Sequence, residues 1–127
     1  MILQGIDHIQ LAIPAGGEAQ GRTFYGELLG LSEIEKPATM VQRGGCWFEN
    51  SRVIVHLGVQ ADFVPATKAH PAFLVADLAA LQHKLADHGV TITFDEALSH
   101  VPRFHTFDPF GNRLEFIQDG AGFSQQD

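Results

Sequence analysis

Four residues in this 127-residue chain pair a metal-capable side chain with a place opposite the apolar face of a strand-like stretch: His8, His56, His70 and Glu115. Their spacing is paired. His8 and His56 are 48 residues apart, and His70 and Glu115 are 45 apart. Neutral imidazole nitrogens with one carboxylate suit a borderline divalent ion such as Zn, Ni, Fe, Co or Mn. The subset His8, His70 and Glu115 has the two-histidine, one-carboxylate composition of non-heme iron sites. Glu115 poses the sharpest question. It lies in "GNRLEFIQ" (111–118), a turn running into alternating residues, flanked by bulky apolar neighbours. A carboxylate on a half-buried strand face is costly unless a positive or hydrogen-bonding group meets it.

The elements that must position these residues form a weak internal repeat. "IDHIQLAIP" (6–14) alternates, with Ile9, Leu11 and Ile13 on one face and His8, Gln10 and Ala12 on the other. "AHPAFLVAD" (69–77) sets Pro71, Phe73 and Val75 against His70, Ala72 and Leu74. Each stretch precedes a helical pattern. The first spans about 17–29 and closes at Gly30. The second spans about 77–88, with Asp77 as N-cap, a Leu78, Leu81 and Leu85 stripe, and Gly89 as terminator. Strands are expected near 31–36, 45–50 and 52–59, and again near 90–94, 103–107 and 113–118, with "DPFGN" (108–112) turning between the last two. In 52–59, Val53, Val55, Leu57 and Val59 share the face a helix would cover, which leaves His56 on the other. Each half reads β-α-β-β-β. Module 1 is about 1–59, a linker about 60–68, module 2 about 69–118 and a loose tail 119–127, in one α+β domain. Modules this small are expected to share a core, within one chain or across a dimer.

Composition bounds the partners. A hydrophobic fraction of 45% supports a core. A net charge of −7 with no basic block argues against nucleic acid and anionic membrane. No apolar run reaches the roughly 20 residues of a membrane span, and "MILQGIDHIQ" has no signal-like pattern. One cysteine, Cys46, excludes an intrachain disulfide, so a reducing cytoplasm is the expected location.

"DHIQLAI", "FYGELLGL", "AFLVADLAALQHKLADHGV" and "FDPFGNRLEFI" together resemble the vicinal oxygen chelate superfamily over about residues 5–118. That group includes glyoxalase I, methylmalonyl-CoA epimerase, extradiol dioxygenases, fosfomycin-resistance enzymes and bleomycin-resistance proteins. The resemblance implies paired βαβββ modules curled into a half-open barrel around a cleft, and a homodimer. It implies one divalent ion per site, held by His8, His56, His70 and Glu115. It also implies a lyase, isomerase or dioxygenase acting on a small oxygen-rich substrate, with Glu115 as the candidate catalytic base. No subfamily fits fully. Gln10 stands where fosfomycin enzymes carry Thr, Ala12 where glutathione-dependent glyoxalases carry Arg, and His56 where glyoxalase I carries Glu. Gln10, Trp47, Arg103 and Phe104 are the expected substrate contacts, Arg103 for an anionic group and the aromatics as a pocket wall. The alternative is a non-catalytic drug-binding protein of the bleomycin-resistance kind.

Overall fold

The computed structural model describes residues 1–94 and 100–120, so most of the tail expected at 119–127 lies outside the described residues. The chain divides into two units, Met1–Pro65 and Ala66–Asp127. In the first unit, β1 (Ile9–Ile13) leads into α1 (Glu18–Gly21), and β2 (Ser32–Ile34), β3 (Cys46–Glu49) and β4 (Ile54–Val59) follow. In the second, β5 (Ala72–Val75) is followed by α2 (Leu78–Asp87), β6 (Ile92–Phe94), β7 (Arg103–Phe107) and β8 (Arg113–Gln118). The sheet orders correspond: β1-β4-β3-β2 and β5-β8-β7-β6. In each, the first and last strands run parallel and the others antiparallel. Both units are thus the β-α-β-β-β arrangement expected from the repeat.

Alternation sorts each sheet into two faces. In the first unit, Ile13, Cys46, Phe48, Val55 and Leu57 are buried on the face that accompanies Phe24, Tyr25 and Leu28 of the helical segment. In the second, Phe104, Leu114 and Phe116 are buried with Leu78 and Leu85 of α2. Phe116 packs against both Phe73 and Phe104. Burying side chains of this size contributes roughly 1.5–3 kcal/mol each. Asp77 caps α2 by accepting the Ala80 N–H at 3.0 Å, and Gly89 takes a positive φ just beyond its end.

Two features depart from the expected pattern. The helix over 17–29 is α-helical only at Glu18–Gly21 and then widens into a π-helix over Arg22–Leu28. Its buried residues, Phe24, Tyr25 and Leu28, fall at a spacing that an α-helix would also bury on one face, so the sequence does not betray the widening. A 3₁₀ helix, Ala38–Arg43, also fills the connection between β2 and β3.

The turn before β8 sets the register of the second sheet. Asp108 is buried, and its Oδ1 accepts the N–H groups of Phe110 and Asn112, both at 2.9 Å. Asn112 is buried as well; its Nδ2 donates to Asp108 Oδ2, and its Oδ1 accepts the Ala66 N–H. This turn pairs Phe107 with Arg113, and hence His105 with Glu115. Replacing Asp108 with Ala strands two backbone donors. It should lower the unfolding free energy by roughly 2 kcal/mol, read as a lower urea midpoint with an unchanged slope.

Candidate metal centre

The β8 register places Glu115 on the sheet face opposite the helix, across from Ala72 on β5 and His105 on β7. Arg103 shares that face, two residues along β7, and His70 reaches it from just before β5. Glu115 is 5% exposed, so its charge has to be met inside the protein. Arg103, itself buried, donates Nη1–H to Glu115 Oε2 at 2.8 Å. His70 Nε2 lies 2.9 Å from Oε1, and His105 Nε2 lies 3.6 Å from the same oxygen. One ligand atom from each of His70, His105 and Glu115 falls within a 4.8 Å cluster.

The hydrogen bonding of His70 is the most informative detail. Its Nδ1 is 2.8 Å from the Lys68 carbonyl, which can only accept, so Nδ1 carries a proton. Its Nε2 faces the Glu115 carboxylate, another acceptor. A neutral imidazole has one N–H and cannot serve both. Either His70 carries a second proton, or a cation stands between Nε2 and the carboxylate. A ring anchored by Nδ1–H on a backbone carbonyl, with Nε2 turned to a carboxylate, is also the orientation a metal-ligating histidine adopts. The donor set therefore fits a divalent ion, with Oε2 of Glu115 reserved by Arg103.

The protonation behaviour is consistent. Burial alone would raise the Glu115 pKa, but the hydrogen bonds from Arg103 and His70 and the nearby charges hold it below the usual carboxylate range. Burial pushes the His105 imidazole down, against the pull of Glu115.

In the first unit, His8, Gln10, Trp47 and His56 share the face away from the helix. His56 pairs in register with Gln10 on β1 and Trp47 on β3. The His56 ring stacks on Trp47 (centroids 3.8 Å apart, planes 3° apart) and on His8 at 4.2 Å. His8 Nδ1 donates to Asp7 Oδ2 at 2.8 Å. Burial, and then the neighbouring His8, lower the His56 pKa. Cys46 lies buried on the opposite face, and burial pushes its thiol up to about 11.

The structure thus brings His8 and His56 together in one unit, and His70 and Glu115 together in the other. Arg103, expected to meet an anionic ligand, has its guanidinium on Glu115. Phe104, expected at a pocket wall, lies on the helix-side face between Phe94 and Phe116, fully buried, because it is one residue out of phase with His105. His105 was not singled out as a ligand from the sequence. The signal was available: with "DPFGN" as the turn, equal counting back from Asp108 and forward from Asn112 sets His105 opposite Glu115.

Acid should destabilise the fold in two steps. His56 and His105 have lowered folded pKa values. The unfolded chain therefore takes up protons first, and stability falls as pH drops below about 6.5. The lowered Glu115 pKa adds a second loss below about 4.5. Arg103→Gln should cost about 3 kcal/mol near neutral pH by leaving a buried carboxylate without its guanidinium, and should flatten the lower step. Urea unfolding across pH 3–8 checks both.

The sequence profile of the Glyoxalase/Bleomycin resistance protein/Dioxygenase superfamily matches residues 5–116. A glyoxalase family protein from Bacillus anthracis is 45% identical, with 93% of this chain and 97% of that one covered and a TM-score of 0.89. A fosfomycin resistance protein from Listeria monocytogenes, in complex with Mn(II) and 1S,2S-dihydroxypropylphosphonic acid, shares the fold at 13% identity (98% and 97% covered, TM-score 0.78). So does an antibiotic-binding protein from a Streptomyces species, at 17% identity (93% and 98% covered, TM-score 0.66). No curated protein matches the chain.

Proposed function

The chain belongs to the glyoxalase/bleomycin resistance/dioxygenase superfamily, and on that premise we propose that it is a divalent-metal-dependent enzyme acting on a small oxygen-rich substrate. The observation that carries this reading is the Glu115 cluster: His70 with both ring nitrogens facing acceptors, and His105 beside the same carboxylate oxygen. His70, His105 and Glu115 would hold the ion, which when bound supplies a Lewis acid with positions open to two neighbouring substrate oxygens.

The surrounding residues have separate tasks in this proposal. Lys68 fixes the His70 ring through its carbonyl. Arg103 ties down Oε2, so Glu115 offers a single oxygen in a fixed direction. A carboxylate held below its usual pKa stays ionised, which suits an anchoring role better than that of general base. His8 and His56 complete the donor set expected from the sequence, and we retain them as candidates.

A second reading rests on Arg103. Its contact neutralises Glu115 from within the chain, and a carboxylate so paired is also compatible with a protein that only binds its small molecule.

Metal analysis of protein purified without a chelating tag, and after offering Fe(II), Mn(II), Ni(II) and Zn(II), separates these readings. About one ion per site is expected, lost in Glu115→Ala and in His105→Ala. Retention in His105→Ala with loss in His8→Ala or His56→Ala would replace His105 by the first-unit histidines. No uptake of any of the four ions would overturn the enzyme reading and favour the binding protein.

A further inference from the structure

The corresponding sheets of the two units differ sharply at one place. Trp47 faces His56 in the first as His105 faces Glu115 in the second. Two residues earlier on the third strand of each, the second unit has Arg103 opposite Ile117, both buried. The matching positions in the first unit are Gly45 and Gly58. A Cβ at Gly45 would lie 1.9 Å from the Leu57 carbonyl oxygen, and one at Gly58 would lie 2.4 Å from Gln10 Nε2. The Leu57 backbone and the Gln10 side chain thus occupy the directions that side chains would take there, and beside Gly44 and Gly58 lies a hollow of about 130 Å³, with room for roughly four water molecules.

The lining of the hollow is selective. Trp47 and Met40 supply apolar wall, and Gln10 an amide. The charged side chains on it are Lys36 and Arg43, both cations, in a chain with only 8 Lys and Arg against 15 Asp and Glu. The 3₁₀ helix that the sequence pattern did not predict brings in Met40 and Arg43. Lys36 is held in place by donating Nζ–H to the Gly44 carbonyl, which leaves further donors on the ammonium. The neighbouring carboxylate, Glu18, is engaged by the Gly45 N–H at 3.2 Å. A planar guanidinium, an ammonium and an amide at one small opening match the oxygens of a compact anion.

We propose that this hollow binds a small oxyanion, a carboxylate or phosphate group. This inference goes beyond the reading given above, since the hollow lies wholly in the first unit, against Trp47, the residue stacked on His56. Arg43 and Lys36 bind the charge, and Gln10, whose amide lies where a Gly58 side chain would begin, orients it.

Trp47 is the sole tryptophan, so its fluorescence reports on this wall alone. Inorganic phosphate and acetate are titrated separately into metal-free protein, with ionic strength held constant by sodium chloride. At least one should give a saturable change. The dissociation constant should rise about tenfold or more in the Lys36→Met/Arg43→Gln double variant, the loss expected for one or two charge-assisted hydrogen bonds. It should stay unchanged in Arg52→Gln, an exposed arginine that does not line the hollow. Gly58→Val, whose Cβ would displace the Gln10 amide without altering charge, should weaken the response, with far-UV circular dichroism confirming that it folds. If chloride alone reproduces the change, or if the double variant binds as tightly as wild type, the anion site is refuted. The titration contains no metal, so its failure leaves the metal reading intact, and failed metal uptake leaves the anion site intact.

Discussion

A single buried charge organises the second half of this protein. The Glu115 carboxylate is out of water, and a carboxylate in that position is tolerated only when its oxygens are met by cations or donors. Arg103 takes one oxygen and His70 the other, while His105 stands at the edge of the group. The register between β7 and β8 therefore carries chemical weight. A slip of one residue would move Glu115 to the helix side among Phe104 and Phe116, and Arg103 and His105 would lose it. The hydrogen-bonded turn at Asp108 and Asn112 guards against that slip, which explains why two polar side chains are buried in a five-residue connection.

The two units follow one plan with different side chains at corresponding places. His8 and His70 precede the first strand of each sheet, His56 and Glu115 sit at matching points of the last, and Trp47 answers to His105. The second unit gathers charge: a carboxylate, a guanidinium and two imidazoles. The first gathers rings, with His8, His56 and Trp47 in a stack, and carries Gly45 and Gly58 where the other has Arg103 and Ile117. A shared backbone thus supports a charged cluster in one unit and an aromatic wall beside an empty recess in the other.

Much of this arrangement was legible in the residues. Alternation located the strands of the described residues, and it assigned His8, His56, His70 and Glu115 to the faces away from the helices, because apolar burial leaves little freedom in that choice. The Asp77 cap and Gly89 terminator marked α2 for equally local reasons. What escaped notice was what depends on pairing. Arg103 as the partner of Glu115, and His105 beside it, follow only when two strands are placed in register, and each alone reads as a residue near a turn. Phe104 was assigned to a pocket wall on its chemistry, although its phase on β7 puts it in the core. The π-helical widening at Arg22–Leu28 and the 3₁₀ helix at Ala38–Arg43 left no mark in the apolar pattern, one because it preserves the buried stripe and the other because it has none.

The separations along the chain also bear on how the Glu115 cluster comes together during folding. Arg103 and Glu115 are 12 residues apart, joined by one tight hairpin, whereas His70 is 45 residues from its carboxylate and reaches it only through the parallel β5–β8 pair. Closing the short loop loses less chain entropy and is the faster event. The hairpin therefore brings the guanidinium to the carboxylate at a smaller entropic cost than the parallel pair brings the imidazole. The topology thus gives the carboxylate one local partner and one distant one.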